Sequence, residues 1–93
     1  MVDLLAATEQ RTDISRFNDW LQKAQVGDRY EYHRGLLSAD RPPPFARNVT
    51  PRQRAVGDIA DHVLRFEGRG IVYLVQQRHM AFDSSYLAVK APR

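Results

Sequence analysis

Apolar and polar residues alternate along this chain with two distinct periods. Ile14, Phe17, Leu21 and Ala24 recur at steps of three, four and three, which lines one face of a helix, and Trp20 sits beside the stripe to widen it. Thr12 and Asp13 offer side-chain oxygens to cap that helix, and Gly27-Asp28 is placed to end it, so the pattern predicts a helix over Asp13–Gln25. Ahead of it, residues 1–11 include the apolar stretch Val2–Ala7, which reads as a docking arm or a short helix.

The period then changes to two. Arg29-Tyr-Glu-Tyr-His33 alternates charged with aromatic side chains, putting Tyr30 and Tyr32 on one face of a short strand that Gly35 ends. Leu36–Asp40 has room for one helical turn. Arg41–Val49 contains Pro42, Pro43 and Pro44, which lack backbone donors, so it is expected to run as an extended surface loop. Thr50-Pro-Arg-Gln53 is the clearest start signal in the chain, with Thr at the N-cap, Pro at the first helical position and Gln placed to reach back in a capping box. Val56, Ile59, Ala60, Val63 and Leu64 form the buried stripe of that helix, with Phe66 at its margin and Gly68 at its end. Gly57 inside it points to close packing or to simple tolerance. Ile71–Val75, continuing to Arg78, reads as a strand with both faces covered. Tyr86–Lys90 returns as its hairpin partner after a turn around His79–Ser85, with Arg78 and His79 at the tip. The order is helix, strand, helical turn, capped helix, strand, strand. That is the order of an α+β, winged-helix-like domain: helices packed on a small three-stranded antiparallel sheet with a C-terminal hairpin. A generic three-stranded α+β domain is the alternative.

Length and composition narrow the picture further. Ninety-three residues hold one domain. No apolar stretch approaches the roughly 20 residues a membrane span needs, and no basic head precedes a long apolar run, so a cytoplasmic protein is expected. The absence of cysteine excludes disulfides, thiolate nucleophiles and cysteine-held metals. Charge is unevenly spread: residues 1–31 carry four bases and six acids, whereas residues 32–93 carry ten bases and five acids. A basic C-terminal two-thirds suits an anionic partner such as nucleic acid, although twelve of the fourteen bases are arginine, a bias that genome composition also produces.

Gly27-Asp-Arg-Tyr-Glu-Tyr-His-Arg-Gly35, followed by Leu-Leu-Ser-Ala-Asp-Arg41, resembles a group of small phage and prophage proteins that share a "YHxG" strand end, an "A-x-D-R"-like turn and a closing hairpin. Gly70-Ile-Val-Tyr-Leu-Val-Gln-Gln-Arg78 and Tyr86-Leu-Ala88 are similar to that hairpin, imperfectly, and the likeness spans about residues 13–90. The resemblance implies a phage gene and a winged-helix-like fold, and carries over no catalytic residues.

A winged helix commonly inserts the helix before its hairpin into the major groove of DNA and lays the hairpin on phosphates or the minor groove. By position, this assigns Arg52, Gln53, Arg54 and Arg65 to groove or backbone contacts, and Arg78, His79 and Lys90 to the wing. Arginine pairs with guanine and glutamine with adenine, so base reading is chemically open. Asp58 and Asp61 on the same helix oppose phosphate contact beyond its first turn. The expected partner is double-stranded DNA, bound by a homodimer if binding is sequence-specific. The alternative is an adaptor or inhibitor that binds a host protein through a strand edge or the Arg41–Val49 loop. No enzyme, cofactor or metal signature appears. His33, His62 and His79 make no metal set, Asp58 and His62 read as a surface pair, Ser84 and Ser85 read as turn formers, and Tyr30 and Tyr32 serve as core residues more readily than as base-stacking ones.

Overall fold

The computed structural model describes the backbone of residues 2–92, with side chains from residue 13 onward. In chain order the elements are α1 (Val2–Lys23), β1 (Arg29–Gly35), α2 (Leu37–Asp40), α3 (Pro51–Gly68), β2 (Val72–Met80) and β3 (Asp83–Lys90). The protein is α+β, with three antiparallel strands in the order β1-β3-β2. β3 is central, and β1 and β2 are the two edges.

Among the described residues, the C-terminal half of α1, α2 and α3 pack on the face of the sheet that carries Tyr86 and Ala88. Phe17 of α1, Ile59 and Val63 of α3, Val72 of β2 and Ala88 of β3 form the buried core, with Trp20, Tyr30, Tyr32 and Phe66 packed around it. Phe17 is its hub: its ring lies 5.5–6 Å from four others, at 5.7 Å from Trp20, Tyr30 and Phe66 and 5.6 Å from His62. The register sets Leu74 beside Ala88 and Ala88 beside Tyr30, so the even-numbered residues of β2 and β3 share the helix-covered face. Arg29, Glu31, Tyr73, Val75, Leu87 and Val89 belong to the other face, on which Leu87 and Val89 are buried while Tyr73 and Val75 are exposed.

Several expectations need correction. The first helix does not begin at Thr12-Asp13: it runs unbroken from Val2, because Leu4, Leu5, Ala6, Ala7, Glu9, Gln10 and Arg11 are good helix formers with no glycine or proline among them. The segment over residues 1–11 is therefore helical from Val2, and any docking of its side chains lies outside the described residues. Leu64 is 52% exposed rather than buried. The stripe Val56-Ile59-Ala60-Val63 continues toward Phe66, and Leu64 falls beyond it on the side of Gly57. Gly57 itself is buried, and a Cβ there would come 3.3 Å from Pro42, so the glycine marks close packing of the proline loop on α3. β2 is not covered on both faces: past Val72 every residue is exposed. Ser84 and Ser85 lie buried inside β3 rather than in the turn, and the hairpin tip is Ala81-Phe82.

Candidate nucleic-acid interface

The first turn of α3 is fixed by its own sequence. The Gln53 N–H donates to Thr50 Oγ1 at 3.1 Å and the Thr50 N–H donates to Gln53 Oε1 at 3.0 Å, completing the capping box around Pro51. This commits the Gln53 side-chain oxygen to the helix, which removes half of the bidentate fork it would need to read adenine. Arg52 and Arg54 project from the same turn into solvent, with no ion pair or side-chain hydrogen bond among the described residues. Further along, Asp61 is bound by Arg41 at 2.9 Å, so part of the negative charge expected to repel phosphate is already neutralised. Asp58 is exposed.

The hairpin holds the other candidates. Arg78 is exposed near its tip, opposite Ser84 and without an ion pair among the described residues. His79 Nε2 lies 2.7 Å from Ser85 Oγ, which binds the imidazole back onto the sheet. Lys90, expected on the wing, sits at the far end of β3 from the tip, only 9% exposed, with Nζ donating to the Ala91 carbonyl at 3.0 Å. Arg65 is exposed in the last turn of α3, three residues after His62, and its charge helps to hold the His62 imidazole below its ordinary value. Burial is the larger cause. His62 Nε2 is hydrogen-bonded to Asn18 Oδ1 at 2.7 Å, so it joins α1 to α3 and does not pair with Asp58.

A clasp that no apolar pattern announces closes the end of β1. A bulge between Glu31 and His33 turns both Tyr32 and His33 toward Tyr86 of β3, with ring centroids at 6.4 and 5.7 Å. His33 Nε2 then donates to Asp40 Oδ2 at 2.7 Å, and the same oxygen accepts the Leu36 N–H at 3.1 Å. Tyr86 contributes its hydroxyl oxygen to the Leu37 N–H at 3.1 Å. Gly35 makes this possible: its φ is +127°, and a Cβ there would lie 2.7 Å from Asp40 Oδ2. The Tyr-His-x-Gly run and the following Asp are thus one device that folds α2 back on the sheet. Beside it, Leu36, Leu37, Ser38, Arg41, Gln76 and Tyr86 line a shallow open groove of about 420 Å³.

At the end of the sheet, Arg34 binds Asp83 through Nε at 2.8 Å and a terminal nitrogen at 3.0 Å, a fork that lowers the Asp83 carboxyl below its ordinary value and raises the arginine. Ser85, His79 and Asp83 thereby lie on one strand pair. Ser85 is buried and the carboxylate is held by Arg34, so the set has neither an accessible nucleophile nor a carboxylate bonded to the imidazole. Among the described residues no group of three His, Asp or Glu could hold a metal ion, and no helix is long and apolar enough to cross a membrane. Set against family models, curated proteins and solved structures, the chain matches none of them.

Proposed function

We propose that the protein is a small phage- or prophage-type DNA-binding domain of winged-helix type that acts in the host cytoplasm on transcription or genome handling. The observation that carries this reading is the pairing of Arg52 and Arg54, without an ion pair among the described residues, in a capped first helical turn with an exposed Arg78 on the following hairpin. The order α-β-α-α-β-β and the strand order β1-β3-β2 support it, since both are those a winged helix requires. The order departs at α2, which has one turn where a helix-turn-helix would place a full helix, and the proline loop replaces the tight turn. Arg52, Arg54 and Arg78 are the contacts this reading keeps. Gln53, His79 and Lys90 serve the fold first.

A second reading, an adaptor or inhibitor that binds a host protein, draws on Phe45. This residue is 100% exposed in the proline loop and held at φ 64°, a left-handed conformation unusual for a bulky side chain. Titration of a duplex at two salt concentrations separates the two readings. A DNA binder loses affinity steeply as salt rises, through counterion release. Arg78→Glu is expected to weaken binding to every duplex and to lower the salt slope by about one, while Asp58→Asn leaves binding equal or tighter. No duplex binding by the wild type at low salt would overturn the DNA reading.

A further inference from the structure

The two edges of the sheet differ in a way that assigns one of them a partner. The Ala91 N–H bonds the Ile71 carbonyl at 3.0 Å, while the N–H and carbonyl of Lys90 bond Asp28 and Gly27 on the β1 side at 2.9 Å each. Antiparallel ladders alternate, so Tyr73 and Val75 turn their backbone groups inward to β3, and Val72, Leu74 and Gln76 turn theirs out along the free edge. On β1 the outward groups belong to Arg29 and Glu31, and a bulge follows at once. Charge and a bulge are how natural sheets stop an edge from pairing. β2 has neither from Val72 through Gln77: Val-Tyr-Leu-Val-Gln-Gln is uncharged and regularly paired, and its irregularity comes only between Arg78 and Met80.

We infer that β2 is the seam of a homodimer, in which it pairs antiparallel with β2 of a second copy about a twofold axis at Leu74 and joins two three-stranded sheets into one of six strands. A twofold that keeps the helices of both copies on one side must pair residues of like parity. Either Leu74 or Val75 then stands on the axis. Both bring outward backbone groups into register, but only Leu74 keeps a seven-residue paired stretch, Ile71–Gln77, free of charge, whereas Val75 would set Val72 opposite Arg78. In this register Val72 faces Gln76 of the other copy, Leu74 faces itself, and each opposed pair exchanges both of its hydrogen bonds. Tyr73, 51% exposed, meets Val75, 36% exposed, twice on the face opposite Leu74. Arg78 comes opposite Gly70 of the other copy, whose turn carries Glu67 and Arg69, so the ends meet one acid and one base rather than a like-charged surface. A second copy is the occupant that this symmetry of apolar pairs selects, since an uncharged edge offers nothing to recognise a charged foreign strand.

The test is sedimentation of the full chain over a dilution series. The wild type is expected at twice the 10.7 kDa of one chain at high concentration, falling to one on dilution. Leu74→Lys, which places two like charges on the axis, is expected to be monomeric at every concentration while keeping the wild-type circular dichroism. A wild type that stays monomeric throughout, or a folded Leu74→Lys that still dimerises, would overturn the inference. Because the chain has no cysteine, crosslinking gives a readout that does not depend on Leu74→Lys folding. Leu74→Cys is expected to form an intermolecular disulfide under mild oxidation, its Cα atoms lying about 5.5 Å apart across the axis. Glu31→Cys, on the other edge, is expected not to. Equal crosslinking at the two positions, or none at Leu74→Cys, would also overturn it.

Discussion

Strands β1 and β2 occupy equivalent places on the two sides of β3, yet they are attached and finished by different means. β1 is tied down along its length: Tyr30 packs edge-on against Phe17, Tyr32 and His33 face Tyr86, His33 holds Asp40, and Arg34 forks onto Asp83. Its outward backbone is guarded by Arg29 and Glu31 and broken by a bulge. β2 enters the core only at Val72 and then runs out exposed, held by its ladder to β3. The difference teaches that a long apolar strand need not be a buried one. The first edge is closed by its own chain and the second is left available.

The largest expected effect is on the anchored side. Phe17→Ala removes the ring that holds Tyr30, Trp20, His62 and Phe66 together, and is expected to cost about 3–5 kcal/mol in a denaturant titration. Val75→Thr, on the free edge, is expected to stay within about 0.5 kcal/mol in dilute protein. Comparable losses at the two positions would erase the contrast. Next in size is the clasp. Gly35→Ala forces a Cβ into Asp40 at a left-handed φ and is expected to cost about 1–3 kcal/mol, with loss of the His33–Asp40 bond visible in the histidine ring resonances. Thr50→Ala, distant from either edge, is expected to cost about 1 kcal/mol by leaving the Gln53 N–H without its acceptor. It calibrates the other two.

A pH effect is the smallest and concerns how α1 is joined to α3. Burial first, and Arg65 second, depress the His62 imidazole below its ordinary 6.5. The unfolded chain therefore takes up the proton first, so this residue's contribution to stability is full above about pH 6.5 and is lost as pH falls from there through its depressed folded value. Thermal midpoints of wild type and His62→Gln, compared between pH 8 and 5 (about the range over which histidine titrates), are expected to converge toward the acid end. A gap that widens there would contradict the assignment.

What could be read from the chain alone follows from how local each signal is. The capping box at Thr50 and the alternation of Tyr30 and Tyr32 involve residues two or three apart, and both stand as read. Thr12-Asp13 was an equally local signal and misled, because a cap residue inside a run of helix formers does not interrupt it. The clasp was illegible: His33 and Asp40 meet only because a bulge re-aims one and a left-handed glycine admits the other, and neither shows in a pattern of apolar positions. Ile71–Val75 misled for a different reason. An apolar run has the same appearance whether its own chain covers it or a second chain does. Of the candidate contacts, Arg52, Arg54 and Arg78 were legible as exposed bases, while the roles of Gln53, His79 and Lys90 in caps and sheet bonds depended on partners that only the fold supplies.

Amide hydrogen exchange at the outward positions of both edges tests the asymmetry most directly. At high protein concentration, the N–H groups of Leu74 and Gln76 are expected to be protected and those of Arg29 and Glu31 to exchange quickly. On dilution the protection at Leu74 and Gln76 is expected to fall while the inward amides of Tyr73 and Val75 stay protected. Fast exchange at Leu74 and Gln76 at every concentration, matching Arg29 and Glu31, would contradict it.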